Sequence, residues 1–173
     1  MIHNEEHQNI RYWKADGGYM VCTKSGDLRA RAISGTLTRI MVRQDAGNPE
    51  YNVDPGLVLN VSLSDGDEVE VITGRLDTHW GQSLSRAVMN TERGEHIKIG
   101  VSQSEQNAKV HFAWCVKLAA DGSHIKIERP PLPDAEEREA WCVSAMKAHS
   151  AYYERPRDDD DERHSDDDPF EEE

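Results

Sequence analysis

A mainly β fold is predicted, and three observations predict it. Between Ile33 and Glu128 short runs alternate apolar with polar residues, the period-2 signature of half-buried strands. Turn-forming segments such as Ser64-Asp65-Gly66-Asp67 and Asp121-Gly122 separate those runs. The single helical pattern in the stretch falls between the third strand and the fourth. Five strands with a helix at that place have the connectivity of a five-stranded OB-fold barrel, small and partly open.

Taken in order, Ile10–Lys14 is β-prone, Asp16-Gly17-Gly18 signals a turn, and Tyr19–Cys22 resumes the β pattern, so residues 1–32 read as an N-terminal arm or hairpin. It carries Tyr12, Trp13 and Lys14. Aromatic and basic residues interleaved in this way suit a clamp on nucleic acid; an arm that simply covers a sheet edge is the other reading. Residues 33–129 form the predicted barrel. Its first strand, Ile33–Arg43, slips in alternation near Gly35, which suits a bulge, with Leu37, Ile40 and Val42 inward and Arg39 and Arg43 outward. The loop from Asp45 to Gly56 exposes Tyr51. In the second strand Leu57, Leu59, Val61 and Leu63 face inward. The third continues with Val69, Val71 and Thr73 inward, Glu68, Glu70, Ile72 and Gly74 outward, and ends near Arg75.

Asp77 or Thr78 can cap a helix from about His79 to Asn90. Trp80, Leu84, Ala87 and Val88 recur at helical spacing and plug the barrel end; Trp80, beside the cap, is also placed to stack on a base. The fourth strand, His96–Ser102, sends Ile97, Ile99 and Val101 inward. The fifth, Lys109–Leu118, sends Val110, Phe112, Trp114, Val116 and Leu118 inward and Lys109, His111, Ala113, Cys115 and Lys117 outward. With His96 and Lys98, the outward set would make a cationic stripe, or else an ordinary solvated face. Ser123–Glu128 adds a last strand. After the stiff Arg129-Pro130-Pro131-Leu132-Pro133 linker, residues 134–155 read as a helix with Asp134 at its N-cap, able to pack on the barrel or to form a homodimer. Residues 156–173 are a disordered acidic tail.

Charge is unevenly spread. The chain carries −13 overall. From Arg157 to Glu173 eleven Asp and Glu stand against two Arg, leaving −4 for the remainder. A phosphate-binding protein usually shows a basic excess, so any nucleic-acid surface here must gather its cations on one face and rely on stacking. Three scattered cysteines suggest neither a disulfide framework nor a zinc site, and the polar start, Met1–Asn9, lacks the apolar run of a signal peptide. A reducing, cytoplasmic setting fits. No phosphate-cradling Gly-rich loop, nucleophile elbow or metal-ligating His spacing occurs, so the expectation is a non-enzyme with no cofactor and no metal.

The residues from Ile33 to Glu128, with Asn60-Val61-Ser62-Leu63-Ser64-Asp65-Gly66-Asp67 at their hairpin, together with the acidic ending, resemble the bacteriophage OB-fold single-stranded-DNA-binding proteins. The resemblance implies sequence-nonspecific binding of single-stranded DNA in phage replication or recombination, inside the host cytoplasm. It also implies an acidic tail that competes with DNA and recruits partner proteins. Asp166, Asp167, Asp168, Pro169 and Phe170 are similar to the partner-binding tip of bacterial members, although Glu171–Glu173 follow here. Tyr12, Trp13, Lys14, Arg39, Arg43, Tyr51, Arg75, Trp80, His96, Lys98, Lys109, His111 and Lys117 are the candidate DNA contacts. The competing readings are an OB-fold protein-interaction module and a DNA-mimic inhibitor, neither of which would bind DNA.

Overall fold

A computed structural model describes residues 9–153, with side chains described to residue 150. The acidic segment, including Asp166–Phe170, lies outside the described residues. The described residues fold as one mixed sheet of nine strands with two α-helices. The strands are β1 (Asn9–Asp16), β2 (Tyr19–Cys22), β3 (Arg29–Ala30), β4 (Ala32–Asp45), β5 (Gly56–Asp65), β6 (Glu68–Arg75), β7 (His96–Gln103), β8 (His111–Leu118) and β9 (His124–Lys126). Helix α1 (His79–Val88) lies between β6 and β7, and α2 (Arg138–Tyr153) follows β9.

The sheet order is β3-β2-β1-β6-β5-β4-β7-β8-β9. It is an open sheet of nine strands, not the partly open five-stranded barrel expected. The arm explains the difference: β1 pairs with β6 in parallel register and occupies the flank of β6, while the far side of β8 is taken by β9. The β1–β2 turn still reaches across to the start of β8, where the Gly18 N–H donates to His111 Nε2 at 2.9 Å.

β4 is the long strand about which the sheet turns. Its first half pairs with β7 and its second half with β5. A bulge between Leu37 and Arg39 resets the alternation, so Ile33 and Leu37 point inward before it and Ile40 after it. The outward set becomes Ser34 and Thr36, then Arg39 and Arg43.

Two strands present the opposite faces from those the alternation suggested. On β6, Ile72 is fully buried and Glu70 is buried beside it. The cause is the tight turn at Gly66-Asp67: it pairs Asp65 with Glu68, which forces Glu70 opposite the core residue Leu63 and Ile72 opposite Val61. Glu70 is tolerated there because Arg11 pairs with it and the Trp13 indole N–H donates to its Oε2. On β8, His111, Ala113 and Cys115 are buried, and Phe112 is 43% exposed. Helix α1 packs on this strand, and its Ser83 hydroxyl accepts from Ala113 N–H at 2.8 Å. Small residues at 113 and 115 let the helix approach; the large ones are left for the other side.

The inner face holds Leu37, Ile40, Leu59, Val61, Leu63, Ile97 and Ile99, capped by Leu84 and Val88 of α1 and by Cys142 and Met146 of α2. α1 begins as anticipated: the Thr78 hydroxyl accepts from Gly81 N–H at 3.1 Å. Gly81 is required by proximity, since a Cβ there would sit 1.8 Å from the Arg75 carbonyl oxygen. α2 packs on β4 and α1 within the same chain. Cys22, Cys115 and Cys142 are buried, unbridged thiols, and burial pushes Cys115 up to about 12. Among the described residues no helix is long and apolar enough to cross a membrane.

Candidate nucleic-acid interface

Strand register determines which side chains share the outer face, because paired residues project to the same side. Tyr12 pairs with Val71, Val71 with Ser62, and Ser62 with Arg39, making one row across β1, β6, β5 and β4. A second row runs Arg75, Val58, Arg43. Lys14 follows Tyr12 by two positions and so joins the same face. With strands about 4.8 Å apart, Tyr12 and Arg39 stand roughly 14 Å from one another. Lys14, Arg39 and Arg43 are exposed, and Tyr12 is 37% exposed. Val58 and Val71 form a buried floor between them.

The Arg43–Arg75 end of this face opens into a cleft of about 830 Å³. Lys14, Arg43, Arg75, Lys109 and Arg138 line it, against two carboxylates, Asp45 and Asp77. A chain of net charge −13 thus gathers five cations at one hollow. They differ in availability. Arg75 is engaged: Nε and Nη2 donate to the two Asp77 oxygens, each at 3.1 Å, and Nη1 to Asp45 Oδ2 at 3.3 Å. The hydrogen bond to Asp77 raises the Arg75 pKa and lowers that of Asp77. Among the described residues Arg43 pairs with no carboxylate; in the amide orientation that satisfies both Asn60 atoms, its Nε donates to the Asn60 oxygen at 3.1 Å.

Of the candidate contacts, then, Tyr12, Lys14, Arg39, Arg43 and Arg75 share one face, and Lys109 joins at the cleft. The others are placed elsewhere. Trp13 is buried against Glu70; Trp80 contributes to the cleft wall but is buried, with its indole N–H donating to Thr73 O at 2.9 Å. His111 lines the cleft wall but is buried and accepts from Gly18 N–H. Tyr51 is 76% exposed on the 3-10 turn Pro49–Tyr51. His96 and Lys98 lie on β7 opposite Thr36 and Ser34, beyond the bulge. Lys117 sits opposite Ile97, on the core side of its strand, with Nζ 2.7 Å from Glu95 Oε2; that contact raises its pKa. The expected stripe of His96, Lys98, Lys109, His111 and Lys117 is therefore not a stripe, because the side chains of β8 alternate to the faces opposite those anticipated.

Two aromatic residues expected in the core are instead on the outer side. Phe112 is exposed, and Trp114, opposite Gly100, lays its ring over that glycine: a Cβ at residue 100 would lie 2.0 Å from it. The glycine inside β7, four positions on from His96, was the signal available in the sequence. Arg138 and His79, at the rim of the cleft, had no such signal, since only the packing of α2 brings Arg138 there.

Comparison of the chain with protein-family models, curated proteins and solved structures finds no significant match.

Proposed function

We propose that this protein binds single-stranded DNA, without sequence preference, on the outer face of β1, β6, β5 and β4 and in the adjoining cleft. The observation that carries the reading is the meeting of Tyr12, Lys14, Arg39 and Arg43 on one face above a cleft rich in cations, in a chain that is otherwise acidic. The chemistry is that of a backbone-tracking cationic surface with a stacking ring, which accepts any base because every base has a π-face. The connectivity of β4–β8 with α1, and the way β4 pairs with both β5 and β7, support an OB-like architecture in which the arm hairpin takes up the closing position.

In this reading the acidic ending, at high local concentration, competes with DNA for the same cations and recruits replication or recombination proteins when displaced. A phage protein at work in the host cytoplasm is the setting this implies. The test is a mobility shift with single- and double-stranded oligonucleotides of equal length, on wild type and Tyr12→Ala. Preferential retardation of the single strand, weakened in the variant by about 1–3 kcal/mol, is expected. Equal binding of both forms, or of neither, would reject the proposal.

A further inference from the structure

The cleft does not end at α1. It shares His79, Gln82 and Arg138 with a smaller hollow of about 150 Å³ under the post-β9 linker. That hollow in turn shares Phe112 and Arg129 with a groove of about 590 Å³ on the outer side of β8, where Trp114 and Lys126 also lie. The three hollows adjoin one another across these shared wall residues, and together their walls carry eight Lys and Arg against three carboxylates.

Its middle section is built from guanidiniums. Arg86 donates to Pro130 O at 3.0 Å, Arg138 to Pro133 O at 2.8 Å, and Arg129 to Ala113 O. All three are held by carbonyls, and none forms an ion pair among the described residues. Their charge is oriented but not neutralised. Burial first, and then neighbouring Arg86, lowers the Arg129 pKa, which is the strain an anion between the two would relieve.

At the far end Phe112 and Trp114 alternate on one face of β8, about 7 Å apart. Gly100 removes the side chain that would have stood against the Trp114 ring. Lys98 and Lys126, both opposite Val116, stand at the Trp114 end of the pair.

We propose that a single strand bound in the cleft continues through the Arg86–Arg129–Arg138 hollow to a second stacking platform, Phe112 and Trp114. The proposal rests on the single-stranded-DNA reading and extends it. Phosphates would pass the guanidiniums and successive bases would lie on the two rings. The alternating cations and flat rings, adjoining the cleft, fit a polynucleotide; a purely apolar partner would leave the arginines unmatched.

The experiment titrates the full-length protein with oligo-dT of about 5 and about 15 nucleotides, lengths that bracket a short and a long occupancy of one such domain. Wild type should bind the longer strand more tightly. Phe112→Ala should lower affinity for the longer strand at least about fivefold, the low end for one stacked base, and leave the shorter one unchanged. Lys126→Glu, a substitution at an exposed position near the end of β9, should act in the same direction without touching a ring. Trp114→Phe should bind the shorter strand as wild type does and lose the additional fluorescence quench that only the longer strand produces in wild type.

Short strands that bind tightly, with both Phe112→Ala and Lys126→Glu keeping the wild-type length dependence, would overturn the extension and leave the parent reading standing. A protein that binds neither length would overturn both.

Discussion

Replacing both Lys14 and Arg43 with glutamine isolates the electrostatic part of the proposed interface. Both are exposed on the outer face, and neither is paired with a carboxylate among the described residues. If each meets one phosphate, each contributes about 0.7 to the slope of log affinity against log salt for a single strand. The double variant should therefore lose about 1.4 from that slope. At roughly 0.1 M salt the corresponding loss of affinity is about 25-fold, or ~1.9 kcal/mol, and it should shrink to less than threefold near 0.5 M. Lys117→Gln is the control: it removes one positive charge, from a lysine already tied to Glu95 on the core side of β8, and should leave the slope as in wild type. Fluorescence anisotropy of labelled oligo-dT across a salt series reads all three proteins. A double variant with the wild-type slope, or a control that falls as far, would show that phosphates do not follow this face.

Three further outcomes follow from the same residues. Arg11→Ala strands the buried Glu70 carboxylate with the Trp13 indole as its remaining donor; partial exposure of Arg11 moderates the usual penalty for breaking a buried pair to about 2–3 kcal/mol by denaturant unfolding, and Arg11→Ala/Glu70→Gln should recover part of it. A loss below ~1 kcal/mol would contradict the role given to this pair. The Cys115 thiol is protonated in both folded and unfolded chains below its ordinary value of 9.0, but above that only the unfolded chain releases its proton until about 12. Wild type should thus lose roughly 2 kcal/mol more than Cys115→Ala between pH 9 and about pH 10.5, and parallel stability curves would contradict the burial argument. Deleting Arg157–Glu173 should tighten single-strand binding most at low salt, whereas affinities that match with and without the segment throughout a salt titration would dismiss competition by the tail.

How far the structure could be read beforehand differed strand by strand. On β4, β5, α1 and β7 most apolar residues fall on the core side, Val58 and Met41 being the exceptions, so their inward faces were plain from spacing. β6 and β8 were not, and for a common reason: both faces of each strand bear large or apolar residues, so alternation alone cannot assign the core side. For β6 the information was still present, because a two-residue turn at Gly66-Asp67 sets the register arithmetically and leads to Glu70 opposite Leu63. For β8 the decision is tertiary. It depends on a helix from elsewhere in the chain needing the small side chains of Ala113 and Cys115. The outer face was legible through Tyr12, Lys14, Arg39 and Arg43 but its extent was not, since the parallel pairing of β1 with β6 joins segments far apart in sequence.

That pairing has a consequence for how the protein is made. Arg11 and Glu70 are separated by 59 positions, so β1, which leaves the ribosome before β6, finds its seat only after β6 has been synthesised. Contacts spanning such a gap form late, after the antiparallel meander has already collapsed. Until then β6 presents a raw hydrogen-bonding edge, open to a second nascent chain. An arm shortened by a few residues would be expected to fail first as aggregation in the cell, well before any weakening of the finished molecule could be measured.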